Sequence, residues 1–319
     1  MIRKSDFKPA WWLPGPHLQT IWPLFFRPRP QLHLRAERVE LADGDFLDIN
    51  WLDSSPTHPL VLILHGLEGS IESHYAAGLL GTLAKQNFNA VFMHFRGCSG
   101  HPNRLARGYH SGETGDLSTI VEHIETRSGT GVSAIIGYSL GGNVLLKWLG
   151  EHRENPALQK AVAVSVPFRL DQCADRLDHG LSRLYRDYLL RKMRSSYRRK
   201  FALIESPLQV DVAQLKTFRD FDDKVTAPLH GFSGVEQYYT ESSSRQYLGR
   251  IRTNTLLLHA HDDPFMLPAT IPTAEELSVA VTLELSDHGG HVGFVSGTLP
   301  WRACYWLDRR ILNFIADVR

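Results

Sequence analysis

Ser133-Ala-Ile-Ile-Gly137-Tyr-Ser139-Leu-Gly141-Gly-Asn-Val-Leu-Leu-Lys-Trp-Leu149 is the stretch on which the fold turns. It begins as a short apolar run, ends with apolar residues at helical spacing, and holds a Gly-x-Ser-x-Gly pentapeptide between the two. A strand that turns sharply into a helix there forces the serine into a strained backbone conformation. It also needs glycine on either side, because a larger side chain would collide with the adjoining strand and helix. Ser139 is thereby exposed at a strand end and at a helix N-terminus, where developing negative charge is favoured. It is the candidate nucleophile.

Working outward, short apolar runs recur at residues 60–64, 90–95, 161–166, 255–259 and 281–285, each the length of a strand buried on both faces. Helical spacing appears between several of them, at 75–86, 116–127 and 143–151. This βαβ repetition predicts an α/β protein with a mostly parallel central sheet and helices on both faces. Residues 38–52 alternate around Asp43-Gly44, which predicts an antiparallel hairpin before the parallel strands. The segment 168–250 breaks the rhythm with helical, arginine-rich sequence and reads as a cap inserted over the sheet. The first 37 residues, rich in proline and aromatic residues, read as an arm lying on the body, with proline preventing long regular elements. The expected division is an arm (1–37), a core in two parts (38–167 and 251–319) and a helical cap insertion (168–250).

A serine nucleophile needs donors for the oxyanion and a histidine held in the right tautomer by an acid. His65-Gly66-Leu67-Glu68-Gly69 directly follows the run 60–64, so the backbone N–H groups of Leu67 and Leu140 are the candidate oxyanion donors. An acidic pair, Asp262 and Asp263, follows the run 255–259 at the strand end where open α/β sheets place ligands. After the last run come His288 and His291. Two glycines bend the chain before His291 and a helix after it would fix it, which favours His291 as base.

The balance of 35 basic against 34 acidic residues gives a net charge of +1 and no global attraction to nucleic acid. Three scattered cysteines without a CxxC argue against a disulfide framework and fit a reducing, cytoplasmic location; the first ten residues show no apolar run of a signal peptide. Residues 183–200 hold eight basic residues and one acidic one. They read as a solvated face over a packed one, or as a basic amphipathic helix that touches the carboxylate or phosphate of a substrate or makes a weak peripheral contact with anionic lipid. His259-Ala-His261-Asp262-Asp263 resembles the start of a metallo-hydrolase signature, but Pro264 stands where its last histidine would be, so no metal site is expected.

Taken together, Pro16-His17-Leu18-Gln19-Thr20, His65-Gly66-Leu67-Glu68-Gly69-Ser70, Phe95-Arg96-Gly97-Cys98-Ser99-Gly100, Gly137 to Asn143, Asp262-Asp263-Pro264-Phe265 and Gly289 to Phe294 resemble the motifs of the YheT-like branch of the α/β-hydrolases, related to ABHD1/ABHD3-type esterases. The likeness covers nearly the whole chain. It implies the α/β-hydrolase fold, a catalytic triad of Ser139, Asp263 and His291 with Asp262 in a supporting role, and no cofactor. It further implies hydrolysis of short or medium acyl esters or acylglycerol-type esters through an acyl-enzyme, with a small-molecule ester or lipid as partner. The eukaryotic relatives carry an N-terminal membrane anchor, from which this arm departs. Thioesterase or acyltransferase action on the same triad, and a binding protein that has lost catalysis, are the alternatives.

Overall fold

The computed structural model describes residues 1–152, 155 and 157–318. Its main sheet is built from β1 (Ile2–Lys4), β2 (Arg35–Glu40), β3 (Phe46–Leu52), β4 (Leu60–Leu64), β5 (Asn89–Met93), β6 (Ala134–Tyr138), β7 (Lys160–Val164), β8 (Asn254–Ala260) and β9 (Val281–Ser286). They lie in the order β1-β9-β8-β7-β6-β4-β5-β3-β2. Every pair from β1 to β5 along that order is parallel, and β3 and β2 join antiparallel at the far edge. The hairpin closes where Gly44 takes φ +85°, the conformation glycine reaches without strain.

All five residues of β4 are buried, because helices cover both faces of the sheet. Side chains alternate across a strand: Leu62 and Leu64 pack with α3 (Gly115–Ser128) and α4 (Leu140–Glu151), while Val61 and Ile63 pack with α2 (His74–Lys85) and α10 (Trp306–Ile315). Each such aliphatic side chain contributes about 1.5–3 kcal/mol, which is why continuous apolar runs rather than alternating ones mark these strands.

Between β7 and β8 the described elements are all helical: α5 (Leu170–Leu177), α6 (Ser182–Phe201), α7 (Phe218–Phe221), a π turn (Asp222–Thr226), α8 (Ala227–Leu229) and α9 (Val235–Ser242), joined by short 3₁₀ turns. They share an apolar core of their own that includes Leu170, Leu190, Phe218 and Tyr238.

The first residues are more regular than the expectation that proline prevents long elements there. β1 extends the sheet by pairing with β9, and Pro16–Phe26 forms an 11-residue helix, α1. Pro16 occupies the first helical turn, where an N–H would have no partner in any case. Pro23 does lie inside the helix. It is tolerated there because α1 is held from outside: Gln19 bonds both N–H and C=O of Val295, and Thr20 Oγ1 accepts the N–H of His291.

The Arg96 guanidinium, after β5, bonds Asp116 of α3 through two nitrogens and reaches Asp43 and Asp45 in the β2–β3 turn. Its burial among carboxylates ties the antiparallel edge to the parallel sheet. Among the described residues no helix is long and apolar enough to cross a membrane.

Candidate active site

β6 ends at Tyr138 and α4 begins at Leu140, so Ser139 alone makes the turn, at φ 52° and ψ −118°. A Cβ on Gly137 would lie 2.5 Å from the Gly141 carbonyl oxygen, and one on Gly141 would lie 2.5 Å from that of His65. Both glycines are therefore required by backbone packing. The Ser139 N–H is held by Val164 O of β7 at 2.8 Å, leaving the side chain to project from the sheet end.

Segments that follow three strands, β6, β8 and β9, meet there. His291 Nε2 lies 3.0 Å from Ser139 Oγ, and His291 Nδ1 lies 2.9 Å from Asp263 Oδ2. A carboxylate only accepts, so Nδ1 carries the proton and Nε2 is free to accept from the serine hydroxyl. Asp263 is buried, and its other oxygen accepts the Phe265 N–H at 2.9 Å. The Phe265 ring stacks on the His291 imidazole at 3.9 Å between centroids and 6° between planes.

Asp262 points elsewhere. It accepts the Gly290 N–H at 3.0 Å and pairs with the exposed His288. The two carboxylates thus divide between the two histidines, with only the Asp263–His291 pair in contact with Ser139.

No helix follows His291 to fix it, contrary to the sequence expectation. A turn and the short strand β10 (Val295–Ser296), paired with β11 (Cys304–Tyr305), follow instead. The fixing comes from other segments: Thr20 takes the His291 N–H, Ser165 Oγ after β7 takes the Val292 N–H, and Gln19 clamps Val295. Val292 and Phe294 sit at φ 56° and 45°, conformations that side chains rarely adopt and that persist only where the surroundings over-determine them. Gln19 and Thr20 carried one legible signal: with His17 they are the polar residues of an otherwise apolar stretch, 16–26.

Leu67 and Leu140 both line the cavity beside Ser139, and neither backbone N–H has an acceptor among the described residues. His65 anchors the loop: Nδ1 donates to Gly66 O and Nε2 accepts the Phe95 N–H. Burial pushes the His65 pKa down to about 3, so it stays neutral in this double role. Next to Leu67, Glu68 takes φ 52° and is gripped on three sides. Its carboxylate accepts from Tyr109 OH and Ser196 Oγ, its N–H donates to Tyr109 OH, and its C=O accepts from Lys192. Ser196 and Lys192 belong to α6. The loop that presents Leu67 is therefore tied directly to the helical insertion, a contact that sequence reasoning missed.

From Ser139 a cavity of about 1310 Å³ of empty space, part of it open to solvent, runs between the sheet end and the inserted helices. Leu189, Met193 and Tyr197 of α6 line one side at four-residue spacing, and Phe218, Phe221 and Val225 line another. Cys98 and Cys173 also line it; burial raises both thiols, Cys173 to about 12, so neither offers a thiolate to compete with the serine.

Asp222, on the π turn, faces the same cavity with its carboxylate bonded to Thr226 and Tyr239 hydroxyls. Burial raises its pKa from 3.8 to about 6. A folded-state value above the unfolded one means that this group's contribution to stability is complete below about pH 3.8 and lost as pH rises through 6. Asp222→Asn should accordingly stabilise the protein relative to wild type at neutral pH. The advantage should grow by on the order of 1 kcal/mol between pH 5 and pH 7. Denaturant midpoints measured at both pH values test this, and an advantage that shrinks with rising pH would refute it.

A family profile described as the alpha/beta hydrolase fold matches residues 59–298. The chain is 41% identical over 317 residues to YheT of Escherichia coli (strain K12), a match covering 98% of this chain and 93% of that protein. It is 28% identical over 323 residues to Phospholipase ABHD3 of Mus musculus, covering 98% and 78%. It is 30% identical over 264 residues to the monoacylglycerol lipase of Saccharomyces cerevisiae, covering 76% and 56%. Among solved structures, the Pyrococcus furiosus esterase Pf2001 shares the fold at a TM-score of 0.58 and 16% identity, over 100% of this chain and 98% of that one.

Proposed function

Because the chain belongs to the α/β-hydrolase fold family, in its YheT-like branch, we propose that it is a serine hydrolase of carboxylic esters with Ser139, His291 and Asp263 as its triad. The observation that carries this reading is the single imidazole bonded at once to a strained serine and a buried carboxylate. In the reaction, His291 Nε2 takes the hydroxyl proton as Ser139 Oγ attacks the ester carbonyl, and the N–H groups of Leu67 and Leu140 receive the oxyanion. The same histidine then protonates the leaving alcohol, an acyl-enzyme forms, and water activated by His291 releases the acid. Asp263 holds the tautomer and stabilises the imidazolium throughout.

The mostly apolar cavity suits the acyl chain of a medium-chain or acylglycerol-type ester, in keeping with relatives named for phospholipid and monoacylglycerol. In this reading residues 168–250 are the cap over a core formed by 38–167 and 251–319, with 1–37 as an arm; the free cysteines fit a cytoplasmic location. A p-nitrophenyl ester series from acetate to decanoate tests the proposal. Hydrolysis with a burst of nitrophenol is expected, and failure to cleave any member would overturn it.

Glu68 acts here as a positioning residue. With its carboxylate gone, the strained backbone that aims Leu67 N–H keeps its own bonds to Tyr109 OH and Lys192 but loses the side-chain bonds to Tyr109 and to Ser196 of α6 that brace it. Glu68→Ala should lower kcat by about 10–100-fold with little change in KM, since an oxyanion donor matters mainly in the transition state. Glu68→Gln, which keeps an acceptor for Tyr109, should restore most of the rate. A loss expressed only in KM, or an equal loss in both variants, would exclude the role.

A further inference from the structure

α1 buries Pro23 and half-buries Ile21 and Trp22, but much of the rest is inverted. Its polar residues Gln19 and Thr20 are 1% and 6% exposed, turned inward onto the His291 loop. Its apolar residues Leu18, Leu24, Phe25 and Phe26 face water, with Phe25 75% exposed. A surface helix in water ordinarily does the reverse. A second run of exposed apolar side chains, Leu181, Leu184 and Tyr188, extends from the residue before α6 into its first turns. The two helices are joined beside the site: His17 Nδ1 lies 3.0 Å from Tyr185 OH, Tyr185 packs on Phe265, and Phe265 stacks on His291.

The continuation of α6 indicates what covers these faces. Leu184, Tyr188, Arg191 and Arg198 recur at spacings of three, four and seven residues, so they line one face of the helix, apolar towards its start and basic towards its end. Arg183, Arg191, Lys192 and Arg198 are exposed and have no carboxylate partner among the described residues. An apolar stripe running into unpaired cations matches a bilayer, whose acyl layer lies beneath a sheet of phosphates. It does not match itself in a second copy, where the cations would meet each other if the helices ran parallel or the apolar stripe if they ran antiparallel.

We propose that the outer faces of α1 and α6 form a docking surface for an anionic lipid bilayer, seating the mouth of the Ser139 cavity on the membrane. This rests on the esterase reading for its purpose, since it would deliver a lipid ester to the site, but binding is measured without turnover.

The test is co-sedimentation of the full chain with vesicles of phosphatidylcholine alone and of an equal mixture with phosphatidylglycerol. Wild type should partition onto the mixed vesicles at least about tenfold more strongly than onto the neutral ones, with the difference shrinking in high salt. Combined Phe25→Ser, Phe26→Ser and Leu184→Ser should weaken partition by at least about tenfold while leaving hydrolysis of a soluble short-chain ester unchanged, which also reports correct folding. Arg191→Glu with Arg198→Glu should abolish the preference for the anionic mixture. The proposal falls if wild type ignores both vesicle types, if the triple serine variant binds undiminished, or if those substitutions instead dissolve a dimer that does not bind lipid. Vesicle binding by a protein that cleaves no ester would support the surface and refute the esterase reading.

Discussion

Ser139→Ala is expected to lower ester hydrolysis by about 10⁴–10⁶-fold and to abolish covalent labelling by a fluorophosphonate. The size follows from what the hydroxyl does. Among the described cavity-lining residues it is the one hydroxyl set against an imidazole, and the thiols of Cys98 and Cys173, which line the same cavity, are kept protonated by burial. Its neighbours were also shaped around it, since Gly137 and Gly141 accept no side chain and Ser139 holds a positive φ. Alanine tolerates that backbone no worse than serine, so the variant should fold, and circular dichroism with an unchanged melting transition would establish that the loss is chemical. Residual activity should reflect only oxyanion stabilisation and binding. A fluorophosphonate adduct found by mass spectrometry in the alanine variant would refute Ser139 as nucleophile.

Asp263→Asn should cost about 10⁴-fold in kcat, whereas Asp262→Asn should cost less than about tenfold. The two residues are adjacent, so the contrast is a test of geometry. An asparagine at 263 can donate to His291 Nδ1, which moves the ring proton to Nε2 and deprives the serine of its acceptor. Asp262 meets only the Gly290 N–H and the exposed His288, and an asparagine oxygen can still accept the first. Comparable rates for the two variants, or the larger loss at 262, would reverse the assignment of the acid.

What was legible in the sequence came from short-range rules. The continuous apolar runs marked β4 to β9 because a strand covered on both faces has no polar side. The Gly-x-Ser-x-Gly turn is a steric requirement visible in five residues. The Asp43-Gly44 hairpin rests on one positive φ. Proline misled at the N-terminus, because its cost inside α1 is offset by side-chain bonds to residues 291 and 295, some 270 positions away. The support of His291 misled for the same reason: no helix directly follows it, and Gln19 and Thr20 of α1 and Ser165 after β7, all distant in the chain, hold its loop instead.

By itself the sequence determined a parallel sheet, the strained serine and the pool of acids and histidines from which a triad can be drawn, since each depends on residues within a turn or two of one another. Only the tertiary structure decided which acid meets which histidine, that Glu68 is gripped by α6, and that the apolar side of α1 faces outward. Those outcomes depend on where distant segments come to rest, and a hydrogen bond or a buried face is defined by both of its partners, while a local pattern describes only one.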